Sequence, residues 1–425
     1  MNAIPAVSSD LPEDVPEQRS EEPAGGPRAW QERTQALVVR YGPAVWCYAV
    51  LKLIGFTVFM KLLSFGGDYA KKPARFGGGT NPWDVLASWD GWWYQQVAQF
   101  GYHPALIPIP GGQPGFTIEQ NSAAFFPLYP GLMRLTSDVT GLGLYGAGML
   151  VSVLASLFAA AGIYAVVDKL SGPRAGVIAA GIWAIAPGSG AEWAVYSDSL
   201  FVALAAWACY FTMTKQWVAA GAITLVAGLN RPTSAALIGA VGLAALVELY
   251  RRESGVLRPL AGMLLAPLGL LGYVAWVGWK TGEWGGYFRI QHDAWLHYFD
   301  GGQGTWQAIR GVLLGRNDYP FAFPVPDLLA TLIVFSLPVL IVLLVRLRPP
   351  LVLTAYTLAT IVSVLGSLGI FGNVSRYLLP AFPLFIALAV GMRKLSWPVL
   401  ATVLGTGAVA SGWYAGYVIF ELGVP

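Results

Sequence analysis

The chain has 425 residues, of which 56% are hydrophobic and only 12% charged, with 17 Trp and 29 Pro. Soluble domains carry about 25% charged residues, so the composition excludes an ordinary soluble fold and reads as an all-α polytopic membrane protein. The formal net charge of +3 gives no ground for a nucleic-acid partner, and none is expected.

From the N-terminus, residues 1–40 are rich in Pro, Glu, Ser and Arg and carry no apolar run. Such a segment cannot bury enough surface to fold alone, so a disordered cytoplasmic tail is expected. It lacks the apolar core of a cleavable signal peptide, which leaves insertion to the first span. A bilayer core of about 30 Å takes roughly 20 apolar residues per helix, and on that criterion the remainder, 41–425, holds about eleven spans. They fall at 43–65, 141–167, 174–188, 195–213, 216–230, 233–250, 258–279, 326–345, 350–371, 377–392 and 397–420. Two long loops interrupt them, 66–140 and 280–325.

Short-loop Lys and Arg set the expected orientation. Lys169 with Arg174, Lys215, Arg251 with Arg252 and Arg258, Arg346 with Arg348, and Arg393 with Lys394 occupy alternate turns. They share a side with Arg28, Arg33 and Arg40, which makes that side cytoplasmic and places both long loops outside a cell membrane. Cys47 and Cys209 lie in apolar runs and argue against a disulfide framework or a thiolate metal site. His103, His292 and His297 lack a zinc-binding HExxH spacing.

The first long loop has structure of its own. Asn81-Pro82 is a helix start, with Asn as cap and Pro at the first position, and Gly101 is a stop. Between them Leu86, Trp89, Trp93, Val97 and Phe100 recur at helical spacing, which predicts an amphipathic helix in the membrane interface. A second short helix is expected after the segment 123–130. Asp90 stands beside the apolar stripe, in Trp89-Asp90-Gly91-Trp92-Trp93-Tyr94. A carboxylate partly desolvated by tryptophans is a stronger base, able to take the proton of an attacking hydroxyl. A solvated interfacial aspartate is the competing reading of the same residue.

Arg231 and Arg376 are each the strong cation of an opposite, outer turn. A guanidinium meets phosphate oxygens bidentately and keeps its charge; snorkelling from a helix end is the alternative. In Tyr196-Ser197-Asp198 a second carboxylate opens a span, suited to a polar ligand, a basic partner or simple helix capping. Gln291 and Trp295 lie in the second long loop, where a polar loop helix also accounts for them. Lys52 sits inside the first span, where it reaches a buried carboxylate or snorkels.

In order, these segments resemble the PIG-V family of GPI mannosyltransferases and its bacterial relatives. The residues concerned are Trp89-Asp90 through Tyr94 and Gly101-Tyr102; Ala124 through Pro130; Tyr196 through Phe201; Arg231-Pro232; Gln291 with Trp295; and Arg376-Tyr377 followed by Pro380 and Phe382-Pro383-Leu384. Asp198 stands where the family's segment carries Glu, and Ser88 where Arg is common. The resemblance implies a GT-C membrane glycosyltransferase that moves mannose from polyprenyl-phosphate mannose to a lipid or glycan acceptor on the extracytoplasmic face, inverting the anomeric centre. It implies Asp90 as the catalytic base. Trp89, Tyr94, Tyr196, Asp198, Arg231, Gln291, Trp295, Arg376 and Tyr377 would then contact substrate. No cofactor and no metal are implied. Two other readings stay open: a GT-C transferase using another polyprenyl-phosphate sugar, such as a pentofuranose, and a transporter or flippase of lipid-linked sugars. The absence of a visible internal repeat weighs against the last.

Overall fold

The computed structural model describes residues 27–112, 116–252, 255–316 and 322–425. Among them the protein is helical, with two isolated β-bridges, Pro108 to Ile118 and Phe299 to Ser367, and no strand. The chain divides at Gly42 and Pro43 into two compact units. In the smaller, helix α1 (Pro27–Gly66) begins, so the part of the expected disordered tail from Pro27 to Arg40 is helix instead; residues 1–26 lie outside the described residues.

In the larger unit α1 continues and is followed by α2 (Asp90–Phe100), α3 (Leu128–Thr140), α4 (Leu144–Ser171), α5 (Pro173–Ala184), α6 (Asp198–Met213), α7 (Trp217–Gly228) and α8 (Ser234–Arg251). Then come α9 (Leu257–Leu265), α10 (Leu268–Thr281), α11 (Gly286–Trp295), α12 (Gln303–Leu314), α13 (Pro324–Arg346) and α14 (Leu351–Leu365). The last are α15 (Val374–Tyr377), α16 (Leu384–Met392) and α17 (Trp397–Ser411). α4 packs on α5 and α6, α7 on α6 and α9, and α8 on α14.

Five helical segments are long and apolar enough to cross a membrane: Thr34–Gly66, Leu144–Ser171, Ser234–Arg251, Leu257–Thr281 and Pro324–Arg346. Several other expected spans hold shorter apolar helices. α5 has 12 residues and α16 has 9, where a full crossing takes about 20. The missing turns are chain broken into short 3₁₀ turns and the single-turn α15, at 185–197 and 366–383, and those two stretches carry Glu192, Tyr196 and Arg376. Non-helical backbone is tolerated at membrane depth only where protein or a cavity satisfies its polar groups. Here Gly188 and Gly190 are buried, and a β-carbon on Gly188 would come within 2.3 Å of the Ser375 carbonyl oxygen and 2.5 Å of the Arg376 nitrogen. Only glycine lets these two irregular stretches touch.

The helix expected from Asn81 to Gly101 is broken. A 3₁₀ turn, Pro82–Ala87, starts at Asn81 as the capping pattern predicts, and α2 begins afresh at Asp90. Tertiary hydrogen bonds override the helical spacing at the break. Val195 N–H donates to Leu86 O at 2.9 Å, Tyr196 hydroxyl to Ser88 O at 3.1 Å and Trp89 N–H to Arg75 O at 2.8 Å. Trp89 takes φ 51° and ψ −111°, an outlying conformation for a bulky side chain. Part of the apolar stripe has another destination than the membrane interface, while Phe100 stays exposed. Leu86 and Val97 are buried in protein, and Trp93 stacks on Phe125 with centroids 5.7 Å apart.

Candidate active site

Asp90, Asp198, Arg231 and Arg376 come from α2, α6, the α7–α8 turn and α15, and they meet in one cluster. Arg376 lies between the two carboxylates. Its Nη2 donates to Asp90 Oδ2 and, at 3.0 Å, to Asp198 Oδ2, while Nε reaches Asp198 Oδ1 at 3.3 Å. Arg231 Nη1 pairs with Asp198 Oδ1 at 2.5 Å. Two guanidinium groups thus balance two carboxylates. The Arg376 side chain is 5% exposed and that of Asp198 2%, against 28% for Asp90 and 16% for Arg231. Burial works against the Arg376 charge, but Asp198 and Asp90 outweigh it and hold the guanidinium well above its ordinary pKa. Arg231 is shifted the same way: burial opposes its charge and Asp198 prevails.

The supports of this cluster follow from its neighbours. The Arg376 guanidinium lies 4.3 Å from the centroid of the Tyr196 ring, a cation–π contact strengthened by desolvation. Tyr94 hydroxyl is 2.6 Å from Ser197 Oγ, and Asn230 Nδ2 donates to Ser197 O at 3.0 Å. The residue before Asp198 is therefore tied both to α2 and to the turn that carries Arg231. Burial raises the Tyr94 phenol pKa, so this hydroxyl stays protonated as a structural bond.

A cavity of about 720 Å³ opens onto the cluster. Of the residues expected from the sequence, Trp89, Asp90, Tyr94, Arg231, Gln291, Trp295, Arg376 and Tyr377 line it. Tyr196 and Asp198 do not. Both are buried behind the wall, Tyr196 as the platform under Arg376 and Asp198 as the anchor of two arginines. Gln291 Nε2 donates to Ala124 O at 3.2 Å and Tyr287 hydroxyl at 3.1 Å, so its amide nitrogen ties α11 to the first loop. Trp295 meets Trp93 and Phe125 edge to face, with centroids 5.5 and 5.3 Å away.

Lys52 finds the buried carboxylate it needs. Its Nζ is 3.1 Å from Glu192 Oε2 and 2.7 Å from Ser189 O, and Tyr48 hydroxyl donates to the same Glu192 oxygen at 2.6 Å. This second ion pair does not line the cavity. His297, Tyr298, Gln303 and Gln307 do line it, and sequence reasoning missed them. They follow Trp295 closely along the chain, but nothing in their spacing distinguishes them from other polar loop residues.

No family model and no curated protein matches the chain. Among solved structures it is similar to ArnT from Cupriavidus metallidurans bound to undecaprenyl phosphate, with 17% identity over 85% of this chain and 62% of that one and a TM-score of 0.49. It is also similar to the oligosaccharyltransferase AglB from Archaeoglobus fulgidus in complex with an inhibitory peptide and a dolichol-phosphate, with 12% identity over 89% and 56% of the two chains and a TM-score of 0.47. The chain spans about three fifths of the length of these structures. The chemistry of the site rests on its own residues.

Proposed function

We propose that the protein is an inverting membrane glycosyltransferase of the GT-C type, moving a hexose from a polyprenyl phosphate to a hydroxyl acceptor on the extracytoplasmic side. The observation that carries this reading is the convergence of Asp90, Arg376 and Arg231 on the wall of one cavity, with Asp198 behind them. One partly exposed carboxylate next to two fixed cations is the donor set such a transfer requires. Mannose is the hexose favoured by the PIG-V resemblance.

In the reaction the acceptor oxygen attacks the anomeric carbon and a new carbon–oxygen bond forms. The bond from that carbon to the phosphate oxygen breaks, its electron pair leaves with the lipid phosphate, and the acceptor proton passes to Asp90. Arg376 and Arg231 stabilise the charge that grows on the phosphate. In the free protein Arg376 is bound to Asp90. An arriving phosphate competes for that guanidinium, loosening Asp90 and freeing its carboxylate to meet the acceptor hydroxyl. No step of this scheme is routed through a metal.

The test is direct. Protein in nanodiscs is given labelled polyprenyl-phosphate mannose and a lipid extract. Asp90→Asn is expected to lower the transfer rate by about 10²- to 10⁴-fold, the usual worth of a positioned general base. Transfer by Asp90→Asn at the wild-type rate would remove Asp90 from the role. Movement of labelled lipid across vesicles with no transfer would favour the transporter instead.

A further inference from the structure

Every charged side chain in the cavity wall is already engaged. Among the described residues there are four, Asp90, Arg231, Asp300 and Arg376. Asp90 holds Arg376, and Arg231 holds Asp198. Asp300 serves the backbone: Oδ1 accepts Gly302 N–H at 2.8 Å and Oδ2 accepts Gly304 N–H at 2.7 Å, which caps the start of α12. An anionic ligand entering beyond the arginines would meet no free cation, and burying an unpaired ion is costly.

The hydrogen-bonding groups still free in the wall are neutral. Gln303 and Gln307 lie one turn apart on one face of α12, both line the cavity, and neither amide has a partner among the described residues. The Trp295 indole N–H is buried without an acceptor. His297 lines the cavity with its ring nitrogens likewise free among the described residues, and desolvation with the nearby Arg231 charge lowers its pKa against the pull of Asp90. A neutral imidazole offers one donor and one acceptor. Gly369 leaves room for that ring, since a β-carbon there would stand 3.3 Å from Nδ1.

We infer that the acceptor presents an uncharged, hydroxyl-rich surface to this cavity, a neutral glycan or polyol, held by Gln303, Gln307, His297 and Trp295. The inference rests on the glycosyl-transfer reading and specifies its acceptor. Amides and a neutral imidazole match hydroxyls, which both donate and accept, whereas a carboxylate or ammonium acceptor would leave one half of each amide unmatched.

The experiment uses the full chain in nanodiscs at pH 7 with polyprenyl-phosphate mannose and three alkyl glycosides that differ only in charge: a neutral hexoside, the matching uronate and the matching amino sugar. Transfer and release of polyprenyl phosphate are both followed. The neutral glycoside is expected to be used with a kcat/KM about tenfold or more above either charged one, the scale set by unmatched hydrogen-bonding groups. Gln307→Glu should shift preference toward the amino sugar, and Gln303→Ala with Gln307→Ala should raise the acceptor KM more than the donor KM. Equal or better use of a charged glycoside, with donor consumed, overturns this inference and leaves the transfer reading standing. Donor that is never consumed with any acceptor overturns both.

Discussion

Asp198 holds two arginines at once, so its contribution is to place charge rather than to meet substrate. Removing one partner from a buried ion pair typically costs about 3–5 kcal/mol, and Asp198→Asn is expected to lower the melting temperature in detergent together with activity. Arg376→Lys separates charge from shape. Lysine keeps the charge but cannot span two carboxylates and a phosphate with one planar fork, so donor KM should rise and kcat fall while the fold persists. Unchanged donor kinetics in Arg376→Lys would return the residue to a structural role. Each of these side chains stood out in the sequence as a charge in an apolar setting. Their partners did not: Arg376 lies 178 residues from Asp198 and 286 from Asp90, and Coulomb attraction depends on distance in space alone.

At the scale of elements, two departures from regular helix build the site. The break at Ser88 and Trp89 starts α2 at Asp90, so the carboxylate sits in a first helical turn, where the helix dipole favours negative charge. The spacing of apolar residues gave one continuous helix because periodicity is blind to hydrogen bonds made by Val195, Tyr196 and Arg75. The early end of α5 at Ala184 leaves the chain free to turn at Gly188 against Arg376. Gly188→Ala should therefore displace Arg376, costing about 1–3 kcal/mol as overpacking does and lowering activity more than Gly239→Ala, whose β-carbon meets open space on α8. Equal effects of the two substitutions would show that the close approach at Gly188 is dispensable.

For the whole molecule, the expected orientation is an experimental matter of side. In a variant with Cys47 and Cys209 replaced by serine, Thr140→Cys stands at the end of the first long loop and Lys394→Cys lies in the turn before α17. Both positions are exposed. A membrane-impermeant maleimide should label Thr140→Cys in intact cells and Lys394→Cys only after lysis; the reverse pattern would put the cavity on the cytoplasmic side and rule out the extracytoplasmic transfer proposed above.

The sequence by itself determined that the chain is helical and rich in membrane-spanning material, because apolar composition and local spacing act through near neighbours. It also singled out Asp90, Asp198, Arg231 and Arg376, since ionisable groups in apolar chain are expensive and so conspicuous. Only the tertiary structure decided how those charges pair, that Tyr196 and Asp198 stand behind the wall, and that the free groups of the cavity are neutral amides, an indole and an imidazole. These are properties of contacts between distant segments. A polar residue's spacing along the chain carries no sign of whether its hydrogen bonds will be met by the protein or left open for a ligand.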